Sequence, residues 1–110
     1  LNVTLRVGMP AGEVIRHLRS EDLGPTADFA EVWMKTPEQT MLFHDPLAAA
    51  CLFEKDICDY ASGSVEIGNA PDGIRGMTRF HAGEGGCEIA TDVRKDAFFR
   101  HFFGTLDRKR

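Results

Sequence analysis

An α/β fold is predicted for this chain, with helices packed on a sheet and an antiparallel hairpin toward the C-terminus. Three observations predict it. Stretches of period-two alternation, as at Val3, Leu5 and Val7, are interspersed with stretches of helical period, as at Phe98, Phe99, Phe102, Phe103 and Leu106. The elements read in the order strand, three helices, three strands, helix, which suits an α/β or α+β piece rather than a bundle or a sandwich. The 110 residues are 43% hydrophobic and 27% charged, the composition of one ordinary globular segment over residues 1–110.

Residues 2–7 alternate as a strand that Gly8 and Pro10 end. Residues 11–19 follow as a short amphipathic helix with Val14, Ile15 and Leu18 on one face and His17 on the polar side. After the break at Gly24-Pro25, Thr26 is a cap for a helix over about 27–35. Phe29 and Trp33, four apart, share a face of it, and packing is the plain explanation of such a stripe. Thr36-Pro37 ends that helix, and Met41-Leu42-Phe43 runs extended into His44-Asp45-Pro46.

Asp accepts the orphan N–H groups of a helix's first turn, and Pro at the first helical position loses no hydrogen bond. Asp45-Pro46 is therefore expected to start a helix that continues to about residue 53. Its run of Leu47, Ala48, Ala49, Ala50 and Cys51 is apolar all round and should be buried. Residues 57–68 read as a strand with a bulge at Ser62-Gly63-Ser64, and residues 69–73 as a turn. Residues 74–80 return as the partner strand of a hairpin, and 81–86 form a loop without the Gly-Lys-Ser/Thr ending of a phosphate loop. Residues 87–91 are a last strand, Asp92 a cap, and 93–106 the closing helix, with His101 beside its apolar face.

Net charge is −4, with no basic footprint for nucleic acid, and no apolar stretch approaches the roughly 18–20 residues needed to span a bilayer. Cys51, Cys58 and Cys87 are odd in number and lack Cys-x-x-Cys spacing. Reduced, mostly buried thiols in a cytoplasmic protein are expected.

The chemistry-bearing stretch is His44-Asp45-Pro46. An imidazole and a carboxylate at an element end can serve one reaction centre, although capping alone also explains Asp-Pro. Residues 42–54, with His44-Asp45-Pro46-Leu47-Ala48, resemble the C-terminal signature of the calcium-dependent nucleoside hydrolases, the inosine-uridine type in particular. Arg75-Gly76-Met77-Thr78 resembles that family's Arg-Gly-x-Thr turn into a strand. Residues 89–93 followed by Phe98-Phe99 resemble its last strand and closing helix, and Leu1-Asn2-Val3-Thr4 resembles the strand end written Leu-Asp-Val-Thr. The resemblance spans nearly all of the chain, and its His-Asp-Pro segment is the specific part.

The resemblance implies the C-terminal segment of a mixed-sheet hydrolase fold that cleaves the N-glycosidic bond of ribonucleosides with a calcium-bound water. Asp45 would be one Ca²⁺ ligand and His44 the proton donor to the leaving base. Phe29 and Trp33 match in position the aromatic residues that close over the base. The family's Asp-x-Asp-Pro-Gly-x-Asp-Asp motif and its ribose-holding Asn/Glu/Asn cluster do not occur here. The chain is thus expected to be the C-terminal third of a longer enzyme or a truncated product, inactive alone. Its implied partners are a ribonucleoside and either a complementary N-terminal portion or a second copy. The competing expectation is a non-enzymatic α/β remnant or interaction module.

Overall fold

The computed structural model describes residues 2–20, 22–69 and 74–108. Among the described residues, four α-helices and two antiparallel sheets make a mixed α and β fold. In order they are β1 (Gly8–Pro10), α1 (Ala11–Leu18), α2 (Gly24–Trp33), β2 (Thr40–Leu42), α3 (His44–Ala50), β3 (Cys58–Ile67), β4 (Thr78–Ala82), β5 (Cys87–Val93) and α4 (Lys95–Leu106). Single 3-10 turns occupy Thr4–Arg6 and Lys55–Ile57. The small sheet pairs β1 with β2, and the larger has the order β4-β3-β5. The expected turn at 69–73 lies outside the described residues except for Asn69.

The first expected strand is not one. Residues 4–6 are a 3-10 turn, with Arg6 N–H donating to the Val3 carbonyl at 3.1 Å and Val7 N–H to that of Thr4 at 3.0 Å. Period two would place Val3, Leu5 and Val7 together, whereas the turn buries Val7 and leaves Leu5 exposed. A strand needs a partner for its N–H groups. β2 gives its ladder to the next residues, Gly8 to Leu42, Met9 to Met41 and Pro10 to Thr40. Pro10 is tolerated there because this ladder is an edge three residues long.

The core gathers Val7, the Val14 and Leu18 face of α1, Ala27 of α2, Phe43, Leu47 and Ala50 around α4. Phe98 is fully buried, with Phe99 and Phe103 beside it, as the three-and-four spacing requires. The base of the larger sheet enters this core through Cys58 and Val93, while its far end carries the exposed Val65 and Ile67.

The predicted hairpin forms, with Val65 opposite Phe80 and Ile67 opposite Thr78. Its second strand is Thr78–Ala82 rather than residues 74–80, because the ladder with β3 extends through His81 and Ala82, which were expected in a loop. The register shift falls at Asp59/Tyr60 against β5, not at Ser62–Ser64. Gly63 has another duty, because it is paired on both sides of the central strand. A Cβ there would lie 2.2 Å from the His81 carbonyl oxygen and 2.6 Å from the Phe80 ring, so only glycine admits that approach.

Helix boundaries differ from the expectation at three caps. Thr26 lies inside α2, which starts at Gly24 with Pro25 in its first turn. Asp45 is the second residue of α3, and Phe43 occupies the N-cap position without a side-chain cap bond. Asp92 belongs to β5, and α4 begins after Arg94. The Asp92 carboxylate accepts from the Val93 N–H at 2.7 Å and pairs with Arg6 at 2.7 Å. These two contacts, the backbone bond first, hold its pKa below the ordinary value.

A depressed carboxylate pKa stabilises the fold above the unfolded-state value, near 3.9, and that contribution is lost as pH falls through the folded-state value. Asp92→Asn should therefore lower Tm at neutral pH, and the gap to the wild type should close progressively on acidification below about pH 5. A gap independent of pH would assign the loss to something other than the charge.

Candidate functional site

The His-Asp-Pro corner is held from behind by Phe43. Its N–H donates to the Val7 carbonyl at 3.0 Å. Its ring meets four phenylalanines of α4 edge-on, with centroids 5.8 Å from Phe98, 5.2 Å from Phe99, 5.5 Å from Phe102 and 6.3 Å from Phe103. Edge-to-face packing of this kind is worth about 0.5–1.5 kcal/mol per pair beyond area burial. The first bond of α3 runs from the Leu47 N–H to the Phe43 carbonyl at 3.3 Å. The corner is therefore fixed by an aromatic anchor, not by the carboxylate cap expected from Asp45. In the sequence the apolar run into His44 is the only signal of that anchor.

His44 opens α3 half-buried, and its Nδ1 lies 2.7 Å from the Thr4 hydroxyl. With Nδ1 engaged, Nε2 is the nitrogen left for a ligand. Asp45, the next residue, is exposed, and its carboxylate makes no hydrogen bond or ion pair among the described residues.

Beside this corner runs a cleft of about 780 Å³ between the 3-10 turn, α3 and the larger sheet. Thr4, Leu47, Cys51, Tyr60, Phe80 and Ile89 are among its lining residues. His44 does not line it directly but is tied to it through Thr4 and through its own helix.

α3 is less buried than its composition suggests. Leu47 and Ala50 face the core, Ala48 and Ala49 are exposed, and the helix ends at Ala50. The following turn carries Leu52 and Phe53 outward, 80% and 82% exposed.

Packing does not account for Phe29 and Trp33. They are 76% and 81% exposed on α2, and Val32 between them is equally uncovered. Ala27 is the residue by which α2 enters the core. Arg19 braces the helix from the end of α1, pairing with Asp28 at 2.9 Å and also with Glu31.

Ca²⁺ requires six to eight oxygen ligands, and one carboxylate supplies at most two. Among the described residues no group of three or more His, Cys, Asp or Glu side chains converges as a metal site. Asp45 could contribute to such a site but not constitute it. The described residues do not by themselves make up a complete calcium centre.

No protein-family model matches the sequence, and no match is found among curated proteins. Among the described residues no helix is long and apolar enough to cross a membrane.

Proposed function

We propose that this chain is the C-terminal portion of a nucleoside hydrolase, in which His44 protonates the departing base and Asp45 contributes one carboxylate to a calcium site completed by other residues. The observation that carries the reading is the corner itself. His44 is held by Thr4 through Nδ1 with Nε2 left over, next to an exposed carboxylate with no partner among the described residues. An imidazole titrates near neutrality and can deliver a proton to a leaving nitrogen, a role worth about 10²–10⁴ in rate. The exposed Phe29 and Trp33 have flat apolar faces on which a base could stack.

Shape supports the reading of a piece of a larger domain. The radius of gyration is 17.0 Å, whereas a compact chain of this length has about 13 Å. Large apolar side chains exposed on α2, after α3 and on the outer sheet need a cover. A second reading, an interaction module without catalysis, is favoured by the same Phe29, Val32 and Trp33 stripe. It predicts self-association or capture of a complementary chain, and sedimentation at high concentration would show a clean monomer if it is wrong.

The test is an assay of base release from inosine and uridine, with Ca²⁺ and with chelator. The 110-residue chain alone is expected to be inactive, and the same residues joined to an Asp-rich calcium-binding portion active and chelator-sensitive. Release by the purified short chain would overturn the expectation of inactivity. Absence of release by the joined protein on every ribonucleoside would overturn the hydrolase reading.

A further inference from the structure

Two of the three cysteines meet where α3 hands over to β3. Cys51 is the C-cap of α3 and Cys58 the first residue of β3, and the Cys51 thiol donates to the Cys58 sulfur at 3.5 Å. Both line the cleft; Cys51 is partly exposed and Cys58 is buried. The Tyr60 hydroxyl is buried without a well-formed hydrogen bond, and its pKa is pushed up by burial and then by Cys51. Cys87 stands apart, its thiol donating to the Gly63 carbonyl at 3.2 Å.

We propose that Cys51 and Cys58 form a reversible intramolecular disulfide, which makes the wall of the cleft responsive to thiol redox state. A disulfide has its sulfurs about 2.05 Å apart, so they need to approach by about 1.5 Å from the observed contact. The surface turn between them, with Leu52 and Phe53 exposed, is the segment that absorbs this movement. The bond would tie the end of α3 to the central strand of the sheet, one cleft wall to the other. It does not depend on what the cleft binds.

The oxidant is a low-molecular-weight disulfide of the glutathione class. Cys51, the more accessible thiol, loses its proton and attacks one sulfur of the reagent. The reagent's S–S bond breaks, and half of it leaves as a thiolate that takes up a proton. Cys58, deprotonated in turn, attacks the Cys51 sulfur, forms the protein disulfide and expels the second half as thiol. Two electrons pass from the cysteines to the reagent, and the two thiol protons end on its two products. Burial, and then the contact with Cys51, push the Cys58 thiol up to about 12. Burial persists once Cys51 carries the reagent, so the closing step should accelerate as pH rises above neutrality and the thiolate fraction grows.

The full 110-residue chain would be incubated natively with oxidised glutathione, quenched with acid and alkylated. Expected is a fall in titratable thiols from three to one, a mass lower by two hydrogens, and full reversal by dithiothreitol. Trypsin cuts after Lys55, so the bond should join the two peptides that flank that cut. Cys87→Ala should bridge as the wild type does. Cys51→Ala and Cys58→Ala should each fail to bridge; the former spares the buried thiol and serves if the latter folds poorly. Three thiols persisting, a bridge through Cys87, or only glutathione adducts and intermolecular dimers would overturn the proposal.

Discussion

Phe98→Ala should cost about 3–5 kcal/mol of folding stability, the usual range for deleting a fully buried phenylalanine and leaving its cavity. Phe98 is fully buried near the start of α4, its ring centroid 5.8 Å from that of Phe43, 5.1 Å from Phe99 and 5.6 Å from Phe102. Its place in the core cluster with Phe43, Leu47, Ile57 and Val93 leaves the site little room to collapse. Small domains have only about 5–15 kcal/mol in total, so the variant should be largely unfolded well below the wild-type midpoint in urea. Phe29→Ala is the control, since a side chain 76% exposed should change stability by no more than about 0.5 kcal/mol. A Phe98→Ala loss below about 1 kcal/mol would mean that the core is not centred on α4.

His44→Ala, made in the protein that carries a complete calcium site, should lower turnover about 10²–10⁴-fold while leaving the Ca²⁺ concentration dependence nearly unchanged. Asp45→Ala should reduce turnover and weaken Ca²⁺ dependence together. Under the proposed function the two effects separate, because the imidazole would act on the leaving base and the carboxylate on the ion. Stability provides an independent check on Asp45. A lost N-cap bond typically costs about 1 kcal/mol, but Asp45 makes no cap bond. The expected change is only the few tenths of a kcal/mol typical of an acidic side chain near a helix N-terminus. Equal, small losses of turnover in both variants would remove the catalytic assignment of the corner.

The parts of the fold legible in the sequence are those set by local period. Val14 and Leu18 mark the buried face of α1, and the α4 phenylalanines mark the closing helix, because three-and-four spacing fixes which side chains share a face. The hairpin is legible because two β-rich runs flank a turn cluster. Legibility fails where a partner decides. Val3, Leu5 and Val7 alternate correctly, but β2 pairs with the residues after them. Asp45 and Asp92 are good caps by composition, yet Phe43 and Arg94 take those positions. An aromatic anchor and the Arg94 bonds decide there: its guanidinium donates to the Asp56 carbonyl at 2.7 Å and pairs with Asp59.

At the candidate site, His44 and Asp45 were visible as a pair because they are adjacent. The bond from His44 to Thr4 spans forty residues and was not visible. Nor was the meeting of Cys51 with Cys58, which depends on how a helix end abuts a strand start. Phe29 and Trp33 share a helix face as read, but a helical stripe does not reveal whether anything covers it.

Phe43 stands one residue ahead of His44 and is gripped by the helix nearest the C-terminus. The aim of the imidazole is thus inherited from side chains 54 to 59 positions downstream, none of which need touch a ligand. Selection on the corner's chemistry would then be felt as selection on the steric fit of α4. A frameshift or trimmed end that removed only that helix would unseat the corner while leaving His44 and Asp45 spelled intact.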